Sequence, residues 1–498
     1  MSVKLGSIFK NHMVLQRNMP IPVFGTAPAG EEVRITFAGQ EDFVRTDEQG
    51  NWASVLDAKE AGGPYELMAS GSENKAGISD VLVGDVYIAA GQSNMEFLFE
   101  NSTGADKEKE HAGQAKFRYY KVPQIEYVKD GKEYPEIEDE GWYDCTPETV
   151  GKISGVAYYF AKEVRNYTDV PIGIVGCHKG GTSASCWVNK NCLTKDPKVE
   201  KFYYTDYWSD IKNQTDEEEN QAIAAYQKIY NEYQNKVQAY QKQYPERSTS
   251  QLKRDLGHTP WPGPKGKKDY GRPCGLYETV FQKILGLNYK AVLWYQGEED
   301  SKFPEGYETL LSGLLKNWRN DLKNPEIPFF IMQLPNYNDD KSPDCWAILR
   351  EAQRQVAART KQTQLICMLG CGEEFNIHPA DKSKAGRLGL MVAETFYDKS
   401  VKGHAPEIKN VEHIKDEYIL KFEHTYGAII PTKGELVTLS VSADGKVFET
   451  VDASVDDKSL KVRSTQNLEV IRYAWENNPE IQMTGATGIP VIPFSYHC

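Results

Sequence analysis

Five short apolar runs, each ending abruptly in polar or glycine-rich residues, limit the folds open to this chain. The runs are Val86–Ala90, Ile172–Cys177, Tyr289–Gln296, Pro328–Leu334 and Thr363–Leu369. Continuous apolar runs of this length suit strands covered on both faces, as in a parallel sheet. Stretches with helical periodicity fill the gaps: Ile153–Val164, Tyr307–Trp318, Ala347–Ala358 and Asp381–Phe396. Strands alternating with helices predict an α/β domain whose strand ends gather along one edge. The clusters at those ends are Gly91–Asn94, His178–Ser183, Gly297–Asp300, Pro335–Tyr337 and Cys371–Pro379. Open α/β sheets hold their ligands at that edge, so the chemistry is sought there.

A chain of 498 residues has room for three domains at about 150 residues each. Residues 1–80 read as an N-terminal β-sandwich-like domain, with Val33, Ile35 and Phe37 alternating against polar neighbours. Residues 81–403 carry the α/β pattern, and 404–498 turn β-rich again, with Tyr418, Leu420 and Phe422 alternating. An insert of about 190–274 interrupts the middle region. Within it Tyr226, Tyr230, Tyr233, Val237, Tyr240 and Tyr244 recur at alternating helical spacings until Pro245 ends the pattern. Such a seam can wall a sugar site, but packing on a neighbouring segment is the simpler expectation. The loop Pro260–Pro264 follows and carries Trp261, a candidate for substrate contact.

The formal net charge of −13 argues against nucleic acid or an anionic membrane as partner. No apolar run approaches the ~18 residues of a spanning helix. The first residues, Met1 to Gly6, lack the apolar core of a signal peptide. The expectation is a cytoplasmic protein as the chain stands, or a periplasmic or secreted one if a leader precedes it. Nine cysteines lie scattered from Cys145 to Cys498, and the close pairs Cys186/Cys192 and Cys367/Cys371 have no matching second pair. Buried thiols are expected, with no metal and no cofactor. His12, beside an early strand, is expected to be structural. Oligomeric state is left open.

Acyl transfer needs a nucleophile, a base, an orienting group and donors for an oxyanion. Ser93, just past the first run, can be a simple helix cap or the nucleophile. His378, alone, reads more readily as structural. Set together at two strand ends, they read as nucleophile and base, because an imidazole titrates in the working range. The oxyanion would meet the backbone N–H groups of Ser93 and Gly181 and the side-chain amide of Gln296. Gly180 and Gly181 allow a ligand close to the backbone.

The blocks Gly91-Gln92-Ser93-Asn94-Met95, Gly180-Gly181-Thr182, Trp294–Glu298, Arg350–Gln353 and Ile377–Pro379 also resemble, in order, those of the sialate O-acetylesterase family. That family lies within the SGNH (GDSL-type) esterases, close to acetyl xylan esterases. Segments at Asn11–Gln16, Pro20–Gly25, Ile471–Trp475 and Gly488–Phe494 extend the resemblance over nearly the whole chain apart from the insert. It implies a flavodoxin-like, three-layer SGNH-hydrolase domain between two β-rich domains. It further implies a serine esterase that removes O-acetyl groups from a carbohydrate, with sialic acid as first substrate. Acetylated xylan or another glycan is the alternative, and a non-catalytic glycan-binding protein on this scaffold is a reading of a different class. Two departures stand out. Phe375 and Asn376 occupy positions where an aspartate often precedes the histidine, and His178-Lys179 stands where Trp is implied before the glycines, a change bearing on the sugar pocket. The triad acid is therefore assigned to Glu298, at the strand end of Gln296, where related acetyl xylan esterases place a glutamate. Glu374 is the alternative, and Asn376 a helper able to orient the ring. Asn94, Arg350 and Asn376 join Trp261 as candidates for substrate contact.

Overall fold

A single strand of 17 residues, Lys75–Gly91, runs from the N-terminal β region to the candidate nucleophile. Its two halves have different sequence patterns because they have different neighbours. From Lys75 to Asp80 burial alternates, and this half pairs antiparallel with Gly62–Ser70, Leu67 facing Ile78. From Val81 to Gly91 every residue is buried. This half runs parallel to Val14–Gln16 and then to Ile172–His178, with Asp85 opposite Ile172 and Gly91 opposite His178. Alternation marks a sheet with one wet face, and a continuous apolar run one covered on both. The domain boundary expected at residue 80 falls inside this strand.

The computed structural model describes residues 2–338 and 342–498. They divide into two compact units that interleave along the chain. One comprises Met1–Leu193, Lys267–Trp294 and Gly313–Phe329; the other comprises Thr194–Gly266, Tyr295–Ser312 and Phe330–Cys498. The architecture is mixed α/β with mixed sheets and a β-rich C-terminal region.

In the first unit the sheet order is Trp142–Cys145, Gln114–Lys121, Ile172–His178, Lys75–Gly91, Ala291–Tyr295. The expected parallel sheet carries an antiparallel edge, where Trp142–Cys145 runs antiparallel to Gln114–Lys121. The reversal stacks Trp142 on Tyr120, with ring centroids 5.6 Å apart. The helix Gly155–Val164, capped by Ser154 on the N–H of Ala157, sets Phe160 edge-on to Tyr87 at 5.0 Å. Trp318 stacks on Phe281 at 4.1 Å, meets Trp294 at 5.6 Å, and donates to the Trp187 carbonyl at 2.8 Å. His12 pairs with an aspartate of the long strand. Its Nδ1 lies 2.6 Å from Asp80, and Arg118 bridges Asp80 and Asp144 at 2.7 and 2.8 Å. The guanidinium thus supplies the positive charge between the two aspartates, and it also donates to the His12 carbonyl at 2.9 Å.

In the second unit Phe329–Met332 and Thr363–Ile366 are neighbouring strands, extended by the Gln333 N–H donating to the Ile366 carbonyl at 3.0 Å. The predicted seam is the helix Asp216–Gln243, opened by a capping box of Thr215 and Glu218. Its tyrosines pack on the segment that follows. Tyr226 donates to the Pro260 carbonyl at 2.8 Å and Tyr233 to that of Gly257 at 2.7 Å, while Arg247 lies over the Tyr244 ring at 4.3 Å. The C-terminal region is a seven-stranded antiparallel sheet, Glu407–Ile414 at one edge and Phe494–His497 at the other, over a core including Leu420, Leu439, Ile471 and Phe494. No disulfide joins the cysteines, and all but Cys192 and Cys498 are buried. Among the described residues no helix is long and apolar enough to cross a membrane.

Candidate active site

The candidate residues fall in both units, one set in each. In the first unit the long strand ends at Gly91, whose φ of 135° excludes residues with a side chain. Gln92 leads into one helical turn, Ser93–Glu96. Ser93 is half-buried, while Asn94 and Met95 are wholly buried. The neighbouring strand ends in a glycine turn stitched to this segment. The Lys179 N–H donates to the Gly91 carbonyl at 3.2 Å, and the Gly180 N–H to the Glu96 carboxylate at 2.6 Å. A Cβ at Gly180 would stand 3.3 Å from the Ser93 Cβ and 3.0 Å from Glu96 Oε2. A side chain there would press on both groups. Gly181 has φ 71°, and its N–H has no acceptor among the described residues. The Thr182 hydroxyl closes the turn on the Lys179 carbonyl at 2.8 Å and accepts from the Trp187 indole at 3.0 Å.

His178 does not open toward a sugar. It is 2 % exposed, with Nε2 2.8 Å from the Tyr119 hydroxyl. Burial pushes its imidazole down to about 4, so the ring is neutral near pH 7. Lys179, directly before the glycines where Trp is implied, pairs with Glu126 at 3.0 Å and lies over the Tyr270 ring at 4.5 Å.

In the second unit Gln296 follows its strand directly and is fully buried. Its Nε2 donates to Asp300 Oδ2 at 2.6 Å, and the Tyr307 hydroxyl lies 3.0 Å from both its Oε1 and its carbonyl oxygen. Asp300 Oδ1 in turn accepts from Tyr203 at 2.7 Å, and Gln353 donates to the Gln296 carbonyl at 3.0 Å. These partners fix which end of the amide is the donor. Glu298 is 4 % exposed and opens the short 3₁₀ turn Glu298–Lys302. Burial pushes the Lys382 ammonium down to about 7, against the opposing pull of Glu298, Glu373 and Asp381. Glu374 is exposed.

Two expectations are corrected here. Asn376, expected at the imidazole or the substrate, turns its amide to the His378 backbone and the Glu373 side chain. It accepts the His378 N–H at 3.2 Å and donates to the His378 carbonyl at 2.7 Å and to Glu373 at 3.1 Å. Arg350 is fully buried, and its guanidinium donates to the carbonyls of Glu476 and Asn477. It ties the helix Cys345–Arg359 to the C-terminal region and does not face a sugar. Trp261 is 43 % exposed, and its indole donates to Glu299 at 2.8 Å. Sequence reasoning missed Glu96, Tyr203, Asp300 and Tyr307. Asp300 stands in the same polar cluster as Gln296 and was within reach. Tyr203, in the insert, had no local signal.

A mixed α/β scaffold with these strand-end clusters, set beside its relatives, defines an ester hydrolase of the carbohydrate esterase class. The family model described as carbohydrate esterase, sialic acid-specific acetylesterase, matches residues 83–263 and 260–398, and the chain belongs to that family. The chain is 26 % identical to the sialate O-acetylesterase of Mus musculus, across 96 % of this chain and 90 % of that protein. It is 22 % identical to the Homo sapiens sialate O-acetylesterase, across 96 % and 88 %. Among solved structures, a carbohydrate acetylesterase from Xanthomonas citri superposes with a TM-score of 0.77 at 25 % identity, covering 99 % of both chains.

Proposed function

We propose that the chain is a serine esterase of the SGNH, flavodoxin-like fold that removes O-acetyl groups from sugars through an acetyl-serine intermediate, with O-acetylated sialic acid as its first substrate. The observation that carries the reading is the packing of Gly180 against the Ser93 Cβ, with the Gly181 N–H beside it lacking an acceptor among the described residues. That turn suits a reacting carbonyl next to the serine hydroxyl.

In this reading His378 takes the Ser93 proton as Oγ attacks the acetyl carbon. The oxyanion is received by the backbone N–H groups of Ser93 and Gly181 and by the Gln296 amide. Collapse breaks the ester C–O bond, and His378 returns the proton to the departing sugar oxygen. Water, deprotonated by His378, then releases acetate from Ser93. Glu298 holds the imidazole in one tautomer and stabilises its cation. Trp261, exposed beside Glu299, offers an aromatic face to the sugar.

The experiment is a screen of purified protein for acetate released from O-acetylated sialic acids and from acetylated xylan. Faster release from the sialic acids is expected. Preference for xylan would move the substrate to the plant polymer, and no turnover of either, or of p-nitrophenyl acetate, would favour the glycan-binding reading.

A further inference from the structure

Three strand ends of the first unit meet at one carboxylate that the reaction as written leaves unused. Glu96 closes the helical turn that Ser93 opens, three residues on. Its Oε2 accepts the Gly180 N–H at 2.6 Å, and its Oε1 accepts from Gln124 Nε2 at 2.6 Å, with Lys121 Nζ 3.8 Å away. Gln124 Nε2 also donates to the His178 carbonyl at 2.7 Å. Gln124 follows the strand Gln114–Lys121, and Gly180 follows Ile172–His178. Burial opposes the charge on Glu96, but the His178 imidazole where it is protonated, and Gln124, Lys121 and the Gly180 N–H at any pH, outweigh it and hold the carboxyl below its usual range. Charge-assisted bonds of this length are the strong kind.

We infer that Glu96 is the positioning residue of the oxyanion hole, fixing the Gly180–Gly181 turn relative to Ser93. The inference rests on the reading of Ser93 as nucleophile. The two backbone donors assigned to the oxyanion belong to segments that Glu96 links, Ser93 on its own turn and Gly181 beside the N–H it grips. An anion held by that N–H also keeps Gly180 from turning it toward the reacting carbonyl. The hole is thus left to the next N–H, that of Gly181, whose φ of 71° suits a glycine. Glu96 touches neither substrate nor Ser93 Oγ in this role.

The test compares Ser93→Ala, Glu96→Ala and Glu96→Gln with wild type for kcat and KM on p-nitrophenyl acetate, with thermal unfolding as a check of folding. A displaced donor costs up to about a hundredfold in rate. Glu96→Ala is expected to lower kcat at least tenfold, by that scale, with KM within about threefold. Glu96→Gln keeps an oxygen for the Gly180 N–H but sets its amide against that of Gln124, and should retain more kcat than Glu96→Ala. Should Glu96→Ala fail to fold, the isosteric Glu96→Gln still reads the effect as a fall in kcat alone. If Ser93→Ala is inactive while both Glu96 variants keep wild-type kcat, or change KM alone, the positioning role is overturned and the serine reading stands. If Ser93→Ala remains active, the serine reading fails and takes this inference with it.

Discussion

Asn376 closes its side-chain amide on the backbone of His378, donating to the carbonyl at 2.7 Å and accepting the N–H at 3.2 Å. Glu373 braces the same loop, accepting from Asn376 at 3.1 Å and from the Ala380 N–H at 2.7 Å. The histidine is therefore carried by a stiffened turn, whose bonds from Asn376 go to its backbone and not to its ring. Asn376→Ala should lower kcat about tenfold to a hundredfold through misplacement of the ring, without moving the histidine limb of the pH profile. Asn376→Asp should be worse, because it sets a carboxylate against the His378 carbonyl and Glu373. A shifted limb in Asn376→Ala, or an Asp variant better than Ala, would contradict this.

Gln296 is held by Asp300 and Tyr307 on opposite ends of its amide. As a side-chain donor to the oxyanion it should contribute about a hundred- to a thousandfold in turnover. Gln296→Ala should lose that in kcat with little change in KM. Asp300→Ala, which lets the amide rotate, should lose less but in the same parameter. A kcat loss below about threefold for Gln296→Ala does not fit the expected magnitude.

The two glutamates proposed as triad acid differ in burial. Glu298 is 4 % exposed and Glu374 lies in solvent. A buried carboxylate stabilises an imidazolium far more than a solvated one. Glu298→Gln should give the largest fall in kcat of the pair and the lowest histidine pKa in the rate profile. A crippled Glu374→Gln beside an active Glu298→Gln would reverse the assignment.

Much of this arrangement was legible in the sequence, for physical reasons. Strands covered on both faces must be apolar throughout, so Val86–Ala90 and Ile172–Cys177 announced themselves, and their polar ends followed. The unity of Lys75–Gly91 was hidden because its first half alternates and its second does not. Arg350 misled because an arginine in an amphipathic helix looks available, while its partners, the carbonyls of Glu476 and Asn477, lie far along the chain. Asn376 misled for the opposite reason: its partner is two residues away, but on the backbone and not on the ring.

His178 makes stability depend on acid. Burial holds its imidazole at about 4, against 6.5 for an ordinary histidine. Between those values the unfolded chain takes up a proton that the native site refuses. The contribution is thus complete above pH 6.5 and is lost as pH falls through this window. The midpoint of thermal unfolding should drop more between pH 7 and pH 5 for wild type than for His178→Asn. Equal drops would mean that His178 does not titrate abnormally.

The central claim is that Ser93 carries the acetyl group. Wild-type protein treated with a fluorophosphonate, digested and mapped by mass spectrometry should bear one adduct, on the peptide containing Ser93, with loss of esterase activity in step. Ser93→Ala should take no label and turn over no ester while unfolding at the wild-type temperature. An adduct on another residue, or an active Ser93→Ala, would contradict the account.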